Sequence, residues 1–558
     1  MTNATHMTRM TRAAGADGGG VMANHAAAAS MRHAVTDTTS ATAATSATSA
    51  TAATAASRTA SRATAHAATV ARATTAARAT MTAGQLAMLT LVAVASLRSL
   101  PAMADYGLAS VALYLIPAVL FLIPTALVAA ELATGWKGGV YVWVREAFGD
   151  RAGFVAIWLQ WIQNVVWYPI QLSFIAVSLA YVAGDGRLGR NGVYVAATII
   201  VLYWISTLIA LAGGTLFARV GSVSGLVGTL FPALLLIVFG GVWLASGAPS
   251  YTPLDARALL PPWTGVASIV LVVSNVLAYA GMEVNAVHAN DLREPGRDFP
   301  RAIGMAVVLI LLVLVLPTLA IAIAVPHARL GLIDGINLAF DGFFSRWGMP
   351  WGTPAVSLLI AVGAFASVVA WIAGPSRGLL AAARTGLLPP AMQRRNQAGV
   401  QVGILIPQGV IVTVLALLFV IVPNGDTAFA TLVDMAAALY LVMYMMMFAA
   451  AIRLRRTRPA VVRSYRVPML PLVAGVGFAA SAAAFVLAFV RPAGFSGIGA
   501  AGYALLVGAV VVVLGVPPLV LYALRRPDWD LRGDAERRDA GAVLVNPPTA
   551  GDRPGVRP

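Results

Sequence analysis

The chain of 558 residues contains no cysteine. That absence excludes disulfide-stapled folds, thiolate nucleophiles and cysteine-ligated metals. Charge is scarce as well: Asp, Glu, Lys and Arg make up 11% of the residues, where soluble domains carry roughly a quarter. Lysine occurs once, as Lys137, so arginine supplies nearly all of the formal net charge of +16. The six histidines lack the HExxH spacing of a zinc hydrolase. The Gly374–Gly378 run GPSRG is not a GxSxG nucleophile elbow. No Walker A loop occurs, so any uphill movement must draw on a gradient rather than on ATP. No enzyme constellation, cofactor motif or metal motif remains.

What is abundant is apolar surface. Hydrophobic residues make up 59% of the chain, and the mean hydropathy is +0.80. Such a chain cannot stay in water, and most of it cannot be disordered. The positive charge lies in short links and in the two tails rather than on a soluble recognition module, which argues against nucleic acid as a partner. The class is an all-α polytopic membrane protein whose surroundings are a lipid bilayer.

Residues 1–84 are rich in Ala and Thr, with no hydrophobic run. They read as a low-complexity disordered tail, either a cytoplasmic extension or an arginine-bearing transit segment, with Met81 as an alternative start. Residues 85–525 form one transporter-sized domain, and 526–558 a second disordered tail. Apolar runs of about 20 residues cross a bilayer. Twelve are expected: 86–104, 108–133, 152–183, 192–212, 222–246, 265–289, 302–325, 354–375, 402–422, 427–452, 468–490 and 500–524, spans one to twelve below. With both termini on one side, the links on that side hold seventeen Lys and Arg and the opposite links hold six. The positive-inside rule then makes both termini cytoplasmic.

Two runs are interrupted. Span one carries Ser96, Arg98, Ser99 and Pro101; span six carries Gly281, Glu283, Asn285 and His288. Ionisable groups at such depth are costly and point to function. Interruptions at corresponding places in two halves point to a transporter's binding site, because open backbone is tolerated only where it lines a cavity. The expectation is a LeuT-type 5+5 inverted repeat with broken helices one and six.

Four stretches carry a resemblance: AAELATGWKGGVYVWVREAFG at 129–149, AYAGMEVNAVHANDLREPGRDFPRA at 278–302, AWIAGPSRGLLAAARTGLLPP at 370–390 and ALYLVMYMMMF at 438–448. Together they resemble the amino acid–polyamine–organocation (APC) permeases, and among these the bacterial glutamate/GABA antiporters. The resemblance implies an inner-membrane amino acid exchanger. It places a functional acid at Glu283, substrate-lining tyrosines at Tyr440 and Tyr444, and a gate-like tryptophan at Trp371. Tyr279 and Gly281 stand in the same motif. The glutamate/GABA antiporter has a further acid one turn before the tryptophan, where this chain has Ser367. Many APC members have a glycine-rich break in span one, where this chain has Ser96, Leu97, Arg98 and Ser99.

Each candidate has a plainer reading. Glu283 senses a proton or holds the substrate ammonium, or it caps loose backbone ends. Tyr440 and Tyr444, four apart on one helical face, line the site or pack helices. Arg98 pairs with Glu283 or Asp105, holds an anionic side chain of the substrate, or snorkels outward. Gln160, Asn164, Trp167 and Gln171 form a polar stripe on span three that faces protein or a water-filled path. Glu131 with Gly138, Gly139 and Tyr141 reads as a helix end and tight turn. His288 reads as a packing histidine, and Asp434 as lying near the outer face. The expected activity is secondary antiport of an amino acid such as glutamate against a related amine such as GABA. A proton-coupled symporter, a basic amino acid or polyamine exchanger, and a non-transporting membrane sensor are the alternatives.

Overall fold

A computed structural model describes residues 81–531, apart from 213–225, 262–264, 373, 423 and 493–498. Both expected tails lie largely outside the described residues. Among the described residues the chain is helical, with no strand. Ten helices are long and apolar enough to cross a membrane, and one bent pair raises the number to eleven. The bent pair is span one. Its first part, Ala83–Val94, starts on a capping box between Thr82 and Gln85, which satisfies two backbone donors reciprocally. Apart from span six, each of the other expected spans falls on one helix, spans seven and eight running longer than expected: span two is Gly107–Gly135, three Asp150–Val182, four Gly192–Ala212, five Gly228–Ala245 and seven Pro295–Ala324. Span eight is Gly352–Leu387, nine Val402–Ile421, ten Gly425–Thr457, eleven Leu470–Leu487 and twelve Ala500–Ala523.

Span six does not reach spanning length as one helix, so twelve continuous helices are not found. It is a string of short pieces: Val266–Ile269, Val272–Tyr279, Met282–Ala286 and Val287–Asp291. Two further helices were not expected. Gly139–Phe148 follows span two and is mostly buried, and Gly335–Arg346 lies between spans seven and eight.

Spans three and ten form the centre. About 78% of the apolar window of span three is buried inside the protein, but only 11% of that of span twelve. Span three packs against spans eight and ten, so its polar stripe lies inside the helix bundle. One buried polar chain crosses three helices there: Trp161 Nε1 donates to Gln408 Oε1 at 2.7 Å, and Gln408 Nε2 donates to the Tyr203 hydroxyl at 2.8 Å. Without water, each unpaired group would cost several kcal/mol. The start of the C-terminal tail is not loose. Residues 527–529 form a short turn whose Trp529 carbonyl accepts from Gln393 Nε2 at 2.8 Å.

Candidate functional site

The two breaks build the site. Span one leaves helical geometry at Ala95 and Ser96, which are both extended. It resumes as a turn over Leu97–Ser99 and the helix Leu100–Ala104, bent by 53° from the first part. Pro101 sits in the first turn of the resumed helix, where its missing N–H leaves no bond unmade. Span six breaks at Gly281, whose φ of +105° is open to glycine and strained for other residues. The freed Gly281 N–H donates to the Tyr444 hydroxyl at 2.8 Å.

Glu283 follows this break and is 2% exposed. Its carboxylate accepts from the hydroxyls of Tyr440 and Tyr444 and from Gln160 Nε2, the last at 3.0 Å. All three donors are neutral. Spans three, six and ten are thereby tied together at one acid. The tyrosine rings lie 4.7 Å apart, and Phe121 meets Tyr444 edge-on at 5.1 Å.

A cavity of about 80 Å³ lies between the two breaks. Ser96 and Arg98 line it from span one, and Gly281 from span six. Asn164, Trp167 and Gln171 line it from span three, Ser367 and Trp371 from span eight, and Tyr440 from span ten. The Trp167 and Trp371 rings stand 6.3 Å apart. The guanidinium carbon of Arg98 lies 5.8 Å from the centre of the Trp167 ring, within cation–π range. No Asp or Glu is among the lining residues.

Of the nine residues expected to bind substrate (Ser96, Arg98, Ser99, Tyr279, Gly281, Glu283, Trp371, Tyr440 and Tyr444), five meet at the cavity: Ser96, Arg98, Gly281, Trp371 and Tyr440. Glu283 and Tyr444 stand one layer behind, Glu283 reaching the cavity through Tyr440. The other two point elsewhere. The Ser99 hydroxyl donates to the Ser96 carbonyl at 3.0 Å. The fully buried Tyr279 donates to the Tyr114 carbonyl at 3.0 Å. Arg98 forms no ion pair with Glu283 or Asp105; Asp105 faces His327 at 3.1 Å instead. Gln160 serves Glu283 rather than the cavity. Gln163, Phe174 and Thr229 line the cavity and were missed. A small polar residue beside a glycine in an apolar run, as at Gly228 and Thr229, was the available signal for span five.

Glu131 has a different task. It accepts bidentately from Arg455, with Nε at 2.7 Å, and from the Val467 N–H at 2.7 Å. Arg463 stands 3.5 Å away and stacks over Trp136 at 4.9 Å. This buried cluster ties the end of span two to the end of span ten and the link beyond it.

A family model described as amino acid permease matches residues 82–515. An uncharacterized transporter of Legionella pneumophila is 40% identical over 408 residues, covering 72% of this chain and 88% of that protein. A glutamate/gamma-aminobutyrate antiporter of Lactococcus lactis is 30% identical over 460 residues, covering 80% and 91%. A probable agmatine/putrescine antiporter of the same species is 24% identical over 361 residues, covering 62% and 74%. These relatives are transporters, not enzymes, and interruptions in the first and sixth spans fit the LeuT-type fold. The chain belongs to the amino acid permease family of the APC superfamily.

Proposed function

We propose that this protein is a secondary antiporter of the bacterial inner membrane. It exchanges an amino acid such as glutamate for a related amine such as GABA by alternating access, with both termini in the cytoplasm. The observation that carries the reading is Glu283, a buried acid at the break of span six held only by neutral donors from spans three and ten. An acid so held answers to the charge of whatever enters the neighbouring cavity, because no fixed cation competes for it. The similarity to glutamate/gamma-aminobutyrate antiporters supports the substrate pair. Exchange of a zwitterion for a more cationic product moves charge, and coupled uptake of a proton at Glu283 balances it. Trp371, against Gly281 and Trp167, serves as the gate over the occupied site.

Counterflow in proteoliposomes tests this. Vesicles are loaded with GABA, glutamine, arginine, putrescine or nothing, and labelled glutamate entry is followed at acid and neutral pH. Entry into GABA-loaded but not into empty vesicles, abolished by Glu283→Gln, is the expected result. Entry into empty vesicles driven by a proton gradient would make the protein a symporter instead.

A further inference from the structure

Arg98 is 3% exposed, and its Nε and Nη1 are buried without a hydrogen-bond partner. It sits in the turn that interrupts span one and faces the central cavity. No carboxylate lines that cavity. Glu283 is occupied by Gln160, Tyr440 and Tyr444, and Asp105 by His327. Between residues 81 and 531, the segments 213–225, 262–264, 373, 423 and 493–498 contain no Asp or Glu. Among the described residues, the face of Trp167 is the contact that eases the charge.

A guanidinium does not shed its proton under ordinary conditions. Burying one without a counter-charge is among the costlier things a fold can do, more so at membrane depth. The cost is removed when an anion arrives. The planar fork of arginine fits a carboxylate with two parallel hydrogen bonds, which an ammonium cannot offer. Along span three, Gln160 marks the level of Glu283 and Trp167 the level of Arg98. Seven residues separate them, or about 10 Å of helix. Arg98 thus faces the cavity directly, while Glu283 stands behind Tyr440 about two helical turns away.

We propose that Arg98 is the carboxylate anchor of the central site. It takes the carboxylate that glutamate and GABA have in common, three carbons from the ammonium, and its charge excludes diamines such as putrescine. This rests on the exchange reading above and narrows it to carboxylate-bearing substrates. Because glutamate and GABA share the ammonium–carboxylate skeleton, one anchor serves both legs of the cycle. Only the second carboxylate of glutamate distinguishes them.

The test uses the full-length protein in proteoliposomes loaded with GABA. Arg98→Gln should raise the half-saturating concentrations of glutamate and GABA by about ten-fold or more, the loss of a charged hydrogen bond. Arg98→Lys should recover part of that loss. Putrescine, inert against the wild type, should compete for the Arg98→Gln variant. Unchanged half-saturation in Arg98→Gln, with exchange still abolished in Glu283→Gln, would overturn the anchor and leave the exchanger intact. Absence of any amino acid exchange by the wild type would overturn the exchanger itself. Should Arg98→Gln not reconstitute, competition against the wild type decides: butylamine competing as well as GABA would refute the anchor, and GABA alone competing would support it.

Discussion

Asp334 shows how one residue's surroundings set a pH response. It stands at the head of the helix Gly335–Arg346, outside the spans, beside a cavity of about 390 Å³ that Arg190 and Asp426 also line. Burial, and then the nearby Asp426 charge, push its carboxyl up to about 6. Arg190 approaches to 3.9 Å but is 76% exposed, so solvent screens it. The folded protein therefore holds a proton at pH values where the unfolded chain, with its ordinary carboxyl near 3.8, has released it. The stabilisation is complete below that value and is lost as pH rises through about 6. Asp334→Asn should flatten the stability profile across this window and raise stability at neutral pH, by an amount on the order of 1–3 kcal/mol. Thermal unfolding in detergent at a series of pH values measures it. Parallel profiles for variant and wild type would refute the assignment. Arg98 and Glu283 belong to the same scale: each was visible in the sequence as an ion in an apolar run. What the sequence could not supply was their partners. Helical spacing gives a side chain's face but not its neighbour, so Tyr279 looked equivalent to Tyr440 until Tyr114 claimed its hydroxyl.

Elements were legible where a single physical quantity decides them. Spans two to five and seven to twelve follow from hydropathy and length, because a helix of such a run satisfies every backbone group within its own segment. The interruption of span six was readable from Gly281, and its division into short pieces follows from the same local chemistry. The helices Gly139–Phe148 and Gly335–Arg346 were not readable. Both are too short to cross, and their mixed sequences read as links until tertiary contacts bury one face. Close approach between elements was also hidden. Gly228 of span five and Gly363 of span eight meet so tightly that a Cβ on Gly363 would come within 1.9 Å of the Gly228 Cα. Gly363→Ala should force these spans apart and cost about 1–3 kcal/mol. Gly304→Ala, on span seven with nothing within 4 Å of the new atom, should instead stabilise by up to about 1 kcal/mol through helix propensity. Unfolding temperatures in detergent give the two signs, and shifts of the same sign would contradict this packing.

At the scale of the molecule, the two faces differ in kind. One face carries the cluster of Glu131, Arg455 and Arg463, the link Arg394–Val400 and the docked turn Pro527–Trp529. The opposite face carries the Arg190, Asp334 and Asp426 cavity and the turn His327–Arg329. The arginine surplus lies on the first face, seventeen Lys and Arg against six. Arginine in short links resists translocation, so that face should be cytoplasmic. The cysteine-free sequence makes the orientation directly measurable, since single cysteines can be added without first removing any. Ala398 and Ala328 are exposed, small and uncharged, and lie on opposite faces by this reading. Replacing either should leave the fold and the charge bias unchanged. Ala328→Cys should react with a membrane-impermeant maleimide in intact spheroplasts, and Ala398→Cys only after permeabilisation. The reverse pattern would place both termini outside. It would also invert the reading of the two ends, putting the Glu131 cluster rather than the Asp334 cavity in contact with the external pH.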